Sequence, residues 1–464
     1  MLSTTNYVIA GGFNFLGQVN RRLPEYEQRY NIKITKTQLK NCFSKILSKS
    51  LLSFGTGINK NTKIIKNSVT YCNNIKKSLS LKYRDMLPQN FEIFLDSGGY
   101  QVSMGYLEKK EVFKFIDMYI KFLEDNSTLY NYAFSLDIPP NEITFDSYED
   151  IYAWNKRSYS AMKQLPKNVL EKIIYVYHFR TPKVNKIWTD MLFEEGLAQE
   201  LSIKRWSVGG VVAGLKGEDE IPYISYSIPL TIILAYIKKY TVQKYLHFHI
   251  LGGSTYRDIM FYEICKIFIK KEYDIDIMFT FDSSGLFKQL MMGRFLDVLQ
   301  DDFLVSKLFL TSNMLDIKNR NFGNKSNREK TYDILDEIST EYEMPCLREL
   351  PIYDGDSLNK LVELYLCLYM LHFYYKLQIE VKSHAKNLYD LFTSNREQFE
   401  KEIFDYLHRL NRGVISKRLK SKSTAFSRSL DLIGSLDVDK CNILIDKYMS
   451  KDEFKKLVRK IPTF

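Results

Sequence analysis

The sequence predicts an α/β protein built on a (β/α)8 barrel. Three observations carry that expectation. From about residue 90 to 305, short apolar runs of β-forming residues alternate with amphipathic helical segments. Six such units follow one another, with strand ends recurring roughly every 30 to 40 residues, the length of one strand plus one helix. Just past each apolar run stands a polar residue or a glycine: Asp96, Asp137, His178, Gly209, Gly252 and Asp282. A barrel brings these six ends to one face, where the chemistry of that architecture sits, whereas an open sheet spreads them along an edge.

The elements follow in order. Residues 1–90 are less regular, and 6–9 and 51–54 are candidates for the first strand. The clear strand runs are 91–95, 132–136, 173–177, 205–208, 245–251 and 275–281. Segments 110–124, 150–165, 184–201 and 257–271 show helical amphipathicity, and 287–302 continues the pattern after the last run. The most apolar stretch, 228–237, is too short to span a bilayer and runs into Lys238 and Lys239, so a buried helix is expected. From 325 onward the chain reads as mostly helical, with a long apolar segment at 358–381. The expected organisation is a barrel over 1–320, a helical segment over 321–384 and a basic helical extension over 385–464. The pattern does not identify the barrel's last strand.

A chain of 464 residues with 45% hydrophobic content can build such a core without disulfides or a structural metal. Its six cysteines are scattered and form no CxxC pair, and no charged N-terminal segment precedes an apolar core. A reducing, cytoplasmic setting without a membrane is therefore expected. The formal net charge of +11, with a pI of about 9.0, favours an anionic partner, nucleic acid first, although a basic surface without such a partner fits it too. The stretch 408–428 holds Arg412, Lys417, Arg418, Lys420 and Lys422 and no acidic residue. It reads either as a solvated helix face or as a surface that tracks phosphates.

Three aspartates end strand runs. Asp96 opens Asp96-Ser97-Gly98-Gly99-Tyr100-Gln101, whose glycines let backbone approach a ligand and leave N–H groups exposed. Asp282 follows Phe281 and precedes Ser283-Ser284-Gly285, and Asp137 precedes Ile138-Pro139-Pro140. Singly, each also fits strand punctuation or a helix cap. Together they supply what a configuration-retaining glycosyl exchange needs. One carboxylate attacks C1′ and holds the sugar covalently, while a second group protonates the departing base and later deprotonates the incoming one. A third acid can accept the N–H donors of a guanine-like ring.

These motifs resemble the tRNA-guanine transglycosylase superfamily. Asp96-Ser97-Gly98-Gly99-Tyr100-Gln101 is similar to its signature, and Ser207-Val208-Gly209-Gly210-Val211 to its base-binding Gly-Gly loop. Leu251-Gly252-Gly253 is similar to the Gly-rich strand end that follows, and Phe281-Asp282 to the segment bearing the nucleophile. Order and spacing agree over about residues 90–300. The resemblance implies that Asp282 attacks C1′ of a guanosine and that Asp96 acts as general acid and then base. It implies that Asp137 binds the Watson–Crick side of the base, that Gly209 and Gly210 offer it backbone groups, and that Tyr100 stacks on it. Ser97, Gly98, Gly99, His178, Leu251 and Gly252 complete the implied substrate-binding set. No redox cofactor is implied; a free 7-deazaguanine is the incoming base, and the target base is flipped out of its polynucleotide.

The chain departs from the family pattern in three places. The run 173–177 ends in His178-Phe179-Arg180, where the tRNA enzymes carry a base-recognising Gln followed by Gly-Gly. The family's zinc motif, C-x-C-x2-C with a distant His, is reduced to Glu341-Tyr342-Glu343-Met344-Pro345-Cys346 with His372, so no metal is expected and 321–384 stands in place of the zinc-binding subdomain. The chain also runs on for about 80 residues past the end of a minimal tRNA enzyme, and the basic stretch lies there. These departures resemble the DNA-guanine transglycosylase branch. That implies DNA as the polymer, with tRNA as the alternative, and 7-cyano-7-deazaguanine or a relative as the incoming base. The resemblance leaves room for a homodimer or for helper proteins as further partners. Two other classes stay open: a catalytically silent nucleic-acid-binding subunit, against which Asp96 and Asp282 are both retained, and an unrelated barrel hydrolase acting on nucleosides.

Overall fold

The computed structural model describes residues 7–10, 12–46, 48–58, 61–79, 87, 90–139, 148–178, 182–209, 223–224, 226–240, 243–253, 256–283, 294–298, 311–316, 325–346, 353–354, 357–410 and 417–448. Eight strands form one closed, all-parallel barrel. They are β1 (Tyr7–Ala10), β2 (Lys49–Ser53), β3 (Glu92–Asp96), β4 (Tyr132–Phe134), β5 (Ile173–His178), β6 (Arg205–Gly209), β7 (Tyr245–Leu251) and β8 (Asp276–Ser283). β1 closes the barrel, pairing with β2 at Ile9–Ser50 and with β8 at Val8–Asp282.

The (β/α)8 expectation holds, with one recount. The two candidates for a single first strand are the first and second strands, so β8 is already the last. The helices Gly12–Tyr30 and Lys36–Ile46 both lie between β1 and β2. The helical reading of 287–302 is corrected in its described part. Arg294–Val298 is a strand, β9, paired antiparallel with β10 (Thr311–Asp316). Local amphipathicity cannot register a hydrogen-bonding partner supplied by a later segment.

Strand alternation sorts the side chains. Val8, Leu51, Phe94, Phe134, Ile174 and Val176 fill the lumen. Ile93, Leu95, Tyr175, Leu246, Phe248, Ile250, Phe279 and Phe281 join the larger core formed with the surrounding helices. The lumen is not purely apolar, because Ser207, His247, His249 and Thr280 are fully buried.

The helix Lys360–Ser394 settles the organisation of the C-terminal half. Asn359 caps it, its side chain accepting from the Leu361 N–H at 3.0 Å. The helix packs on Tyr256–Tyr273, which precedes β8, and on Gly12–Tyr30 and Lys36–Ile46, which follow β1. It therefore takes the place of the barrel's eighth helix, displaced in sequence by the segment after β8. The boundary expected at 384/385 falls inside this one helix, and the apolar run at 358–381 is part of what covers the closing seam.

The apolar stretch at 228–237 is a buried helix, Ser227–Tyr240. Its burial is general because the helices Lys417–Ser435 and Val438–Tyr448 pack on it from outside the ring. Ser429 ties the approach to this helix down, its hydroxyl accepting from the Ile224 N–H at 2.7 Å. Among the described residues, no helix is long and apolar enough to cross a membrane.

Phe268 couples the ring to the C-terminal helices. It is 4% exposed, and its ring lies edge-on to Tyr389 at 6.1 Å and Phe392 at 5.7 Å. Phe268→Ala should lower the unfolding free energy by about 3–5 kcal/mol in urea titration. It should also speed limited proteolysis within 360–448; unchanged stability and cleavage would contradict this packing role.

Candidate active site

Lateral pairing sets the strand ends level at the C-terminal mouth. Ser53 faces Asp96 across β2–β3, His178 faces Gly209 across β5–β6, and Leu251 faces Asp282 across β7–β8. Asp137 lies just past the end of β4. The six predicted strand ends thus meet on one face, as a barrel requires.

Asp96 is largely enclosed there. Burial raises its carboxyl pKa to about 6; hydrogen bonds from Ser53 and from the Gly98 backbone oppose the rise, and the nearby Asp137 and Asp282 add to it. Such a group exchanges a proton readily near neutral pH. The turn that follows is built on close backbone approach. Gly98 has φ +84°, in the left-handed region, and a Cβ there would lie 2.5 Å from Gly55 Cα. A Cβ on Gly99 would lie 1.6 Å from the Asp137 carbonyl oxygen, so no other residue fits without moving backbone. The two glycines therefore clamp the ends of β2, β3 and β4 together. Ser97 is buried, with its hydroxyl 3.4 Å from the Gly99 N–H. Tyr100 follows at the start of a short helix and is 61% exposed, an aromatic ring open to a ligand.

Asp137 and His178 are both buried, with Oδ2 and Nδ1 3.5 Å apart. The imidazole packs on Trp188 at 5.3 Å. Gly209 makes room for it, since a Cβ there would lie 2.6 Å from His178 Nδ1. Gly210 lies outside the described residues.

Asp282 is held through one oxygen. Its Oδ1 accepts from the Gly252 N–H at 2.9 Å and lies 3.3 Å from His249 Nε2. His249 Nδ1 is 2.8 Å from Thr280 Oγ1, which is 2.7 Å from His247 Nε2. Burial, reinforced by His249, Arg205 and Lys49, pushes the His247 pKa well below its ordinary value, which favours the neutral ring.

No protein-family model matches this chain, and no curated protein matches it. What the mouth can do follows from its own geometry. One carboxyl is largely enclosed with a raised pKa, a second accepts from a backbone N–H beside an imidazole, and a third is paired with an imidazole. That set can carry out general acid–base and nucleophilic chemistry on a polar ring.

Sequence reasoning missed Ser53, Gly55, His247, His249 and Thr280. The signal for three of them was present: His247 and His249 alternate along β7, and Thr280 shares the face of Asp282 on β8. Ser53 and Gly55 carry no local mark, because they matter only through contact with the Asp96 turn. Of the basic stretch, Arg412 lies outside the described residues. Lys417, Arg418, Lys420 and Lys422 fall in the helix Lys417–Ser435, but their side chains are outside the description.

Around the reduced zinc motif, Glu341, Glu343 and Cys346 are exposed, and the Cys346 thiol donates to Asp336 Oδ1 at 3.0 Å. The His372 side chain lies outside the described residues. No group of three or more His, Cys, Asp or Glu that could hold a metal is found among the described residues.

The raised pKa of Asp96 has a stability consequence. The native state holds this proton more tightly than the unfolded chain, whose carboxyl titrates near 3.8. Stability therefore falls as pH rises from about 4 to about 6, and the penalty persists above that. Asp96→Asn should be more stable than the wild type by on the order of 2 kcal/mol above about pH 7, with the gain vanishing below about pH 4. Urea unfolding across that range tests it, and a gain independent of pH would refute the assignment.

Proposed function

We propose that the chain is a guanine transglycosylase that exchanges guanine in DNA for a free 7-deazaguanine base, 7-cyano-7-deazaguanine or a relative. The observation that carries this is the contrast in environment between two carboxyls at one mouth. Asp96 is largely enclosed with a raised pKa, and Asp282 is tethered through Oδ1. In the first displacement Asp282 Oδ2 bonds to C1′ of the target nucleotide, the glycosidic C–N bond breaks, and Asp96 gives its proton to the departing guanine. The incoming base then loses a proton to Asp96, and its nitrogen displaces Asp282 from C1′. Two inversions retain the anomeric configuration.

The rest of the mouth suits a flipped purine. Asp137 can accept from the N1–H and 2-amino groups, His178 borders the same edge, and Tyr100 offers a stacking face at the rim. The net charge of +11 favours a polyanionic substrate. The preference for DNA over tRNA comes from the departures in the sequence motifs. A cytoplasmic setting and an oligomer or helper protein belong to the same proposal.

The test is incorporation of labelled guanine into duplex DNA, single-stranded DNA and unmodified tRNA. Label should be retained in DNA and fall to background with Asp282→Ala. Label in tRNA alone would overturn the choice of polymer, and release of free guanine without an acceptor base would favour a nucleoside hydrolase. Single-turnover trapping of the glycosyl-enzyme should slow as pH rises through about 6, because ionised Asp96 cannot protonate the leaving base. A trapping rate flat across that range would remove Asp96 from the acid role.

A further inference from the structure

The lumen holds a buried polar column that a two-carboxylate reaction does not by itself require. It runs from Asp282 through His249 and Thr280 to His247, with separations of 3.3, 2.8 and 2.7 Å. His249, Thr280 and His247 are fully buried. Phe134 meets His249 edge-on at 4.8 Å, Tyr132 meets His247 edge-on at 5.5 Å, and Phe94 packs against both imidazoles. Apolar side chains would fill this space without the desolvation that two imidazoles and a hydroxyl entail.

For two neutral imidazoles, one proton arrangement satisfies every contact. The neutral ring of His247 carries a single proton, and among the described residues its Nδ1 has no partner, so the proton sits on Nε2 and is donated to Thr280 Oγ1. The Thr280 hydroxyl then donates to His249 Nδ1. The His249 proton is thereby placed on Nε2, facing the Asp282 carboxylate. Each bond points the same way along the column, from His247 to Asp282. The opposite tautomer of His249 would turn a lone pair toward a carboxylate oxygen.

We infer that His249 is a positioning residue for Asp282, and that Thr280 and His247 determine which of its nitrogens carries the proton. With the Gly252 N–H and His249 Nε2–H both on Oδ1, the carboxylate is fixed in rotation and Oδ2 becomes the oxygen presented to the substrate. This rests on the proposed role of Asp282 as nucleophile. It adds a mechanism for presenting that nucleophile from a rigid strand rather than from a mobile loop.

The experiment uses the full chain and three variants, Thr280→Val, His249→Gln and His249→Phe, with two independent readouts. The first is the 15N imidazole spectrum of His249 together with the 13C carboxyl resonance of Asp282, neither of which needs activity. The second is the rate of glycosyl-enzyme formation at saturating guanine-containing DNA, measured beside the DNA Kd. The wild type should show the Nε2–H tautomer at His249. Thr280→Val should mix the tautomers, move the Asp282 resonance and slow trapping by on the order of tenfold with Kd unchanged. His249→Phe should slow trapping by on the order of a hundredfold, and His249→Gln, whose amide can still donate to Oδ1, should recover most of the rate. An Nδ1–H tautomer in the wild type, full-rate trapping by Thr280→Val, or Gln no better than Phe would overturn the inference. If the wild type traps no polymer, the proposed reaction fails separately. The positioning role is then upheld by the Nε2–H tautomer with a shifted Asp282 resonance in Thr280→Val, and overturned by an unshifted one.

Discussion

Everything at the mouth depends on closure of the barrel between β1 and β8. The pairing of Val8 with Asp282 brings the last strand back to the first, so that Asp282 shares one mouth with Asp96 and Asp137. Closure in turn needs a helix over the seam. Among the described residues, the helix that covers it is Lys360–Ser394, which follows the β9–β10 hairpin and the helix Lys325–Glu341. The packing that holds this helix against Tyr256–Tyr273 and Gly12–Tyr30 therefore also holds the carboxyls in register. C-terminal sequence that looks like an appendage is part of the scaffold.

Within that scaffold, polar groups are buried where apolar ones would be more stable. Asp96 is enclosed against its own ionisation, and two histidines stand in a lumen among Phe94, Phe134, Ile174 and Val176. The large outer core, with aromatic packing around Phe268 and Tyr262, offsets such penalties. The arrangement fits a protein whose local inconsistencies concentrate at a functional site.

The barrel was legible because its signal is local and repeated: six apolar runs, each closed by a polar residue or glycine, each followed by a helical period. Strand count and ring closure were not, because both depend on partners distant in the chain. Residues 51–54 gave no sign of being a second strand beside 6–9, and Leu358 onward gave no sign of packing on a helix near residue 12. At the site, aspartates at strand ends could be read directly. The neighbours that set their behaviour could not: Ser53 reaches Asp96 from another strand, and Gly55 earns its place only through the approach of Gly98. His247 and His249 are the intermediate case, visible as an alternation but without meaning until Thr280 is seen between them.

The glycines link the two kinds of information. Gly99 cannot bear a side chain because the Asp137 carbonyl fills that space, and Gly209 cannot because His178 does. Each marks a place where neighbouring strand ends are drawn closer than ordinary side chains permit. The first contact ties the Asp96 turn to the aspartate after β4, and the second seats the imidazole that faces that aspartate. A mouth assembled this way has little freedom to adjust its carboxyls one at a time, since moving Asp137 displaces the turn after Asp96 and the ring of His178 together. Rigid spacing of that kind is what the proposed double displacement needs, because attack at C1′ and proton transfer to the base must be served from fixed points on opposite sides of one bond.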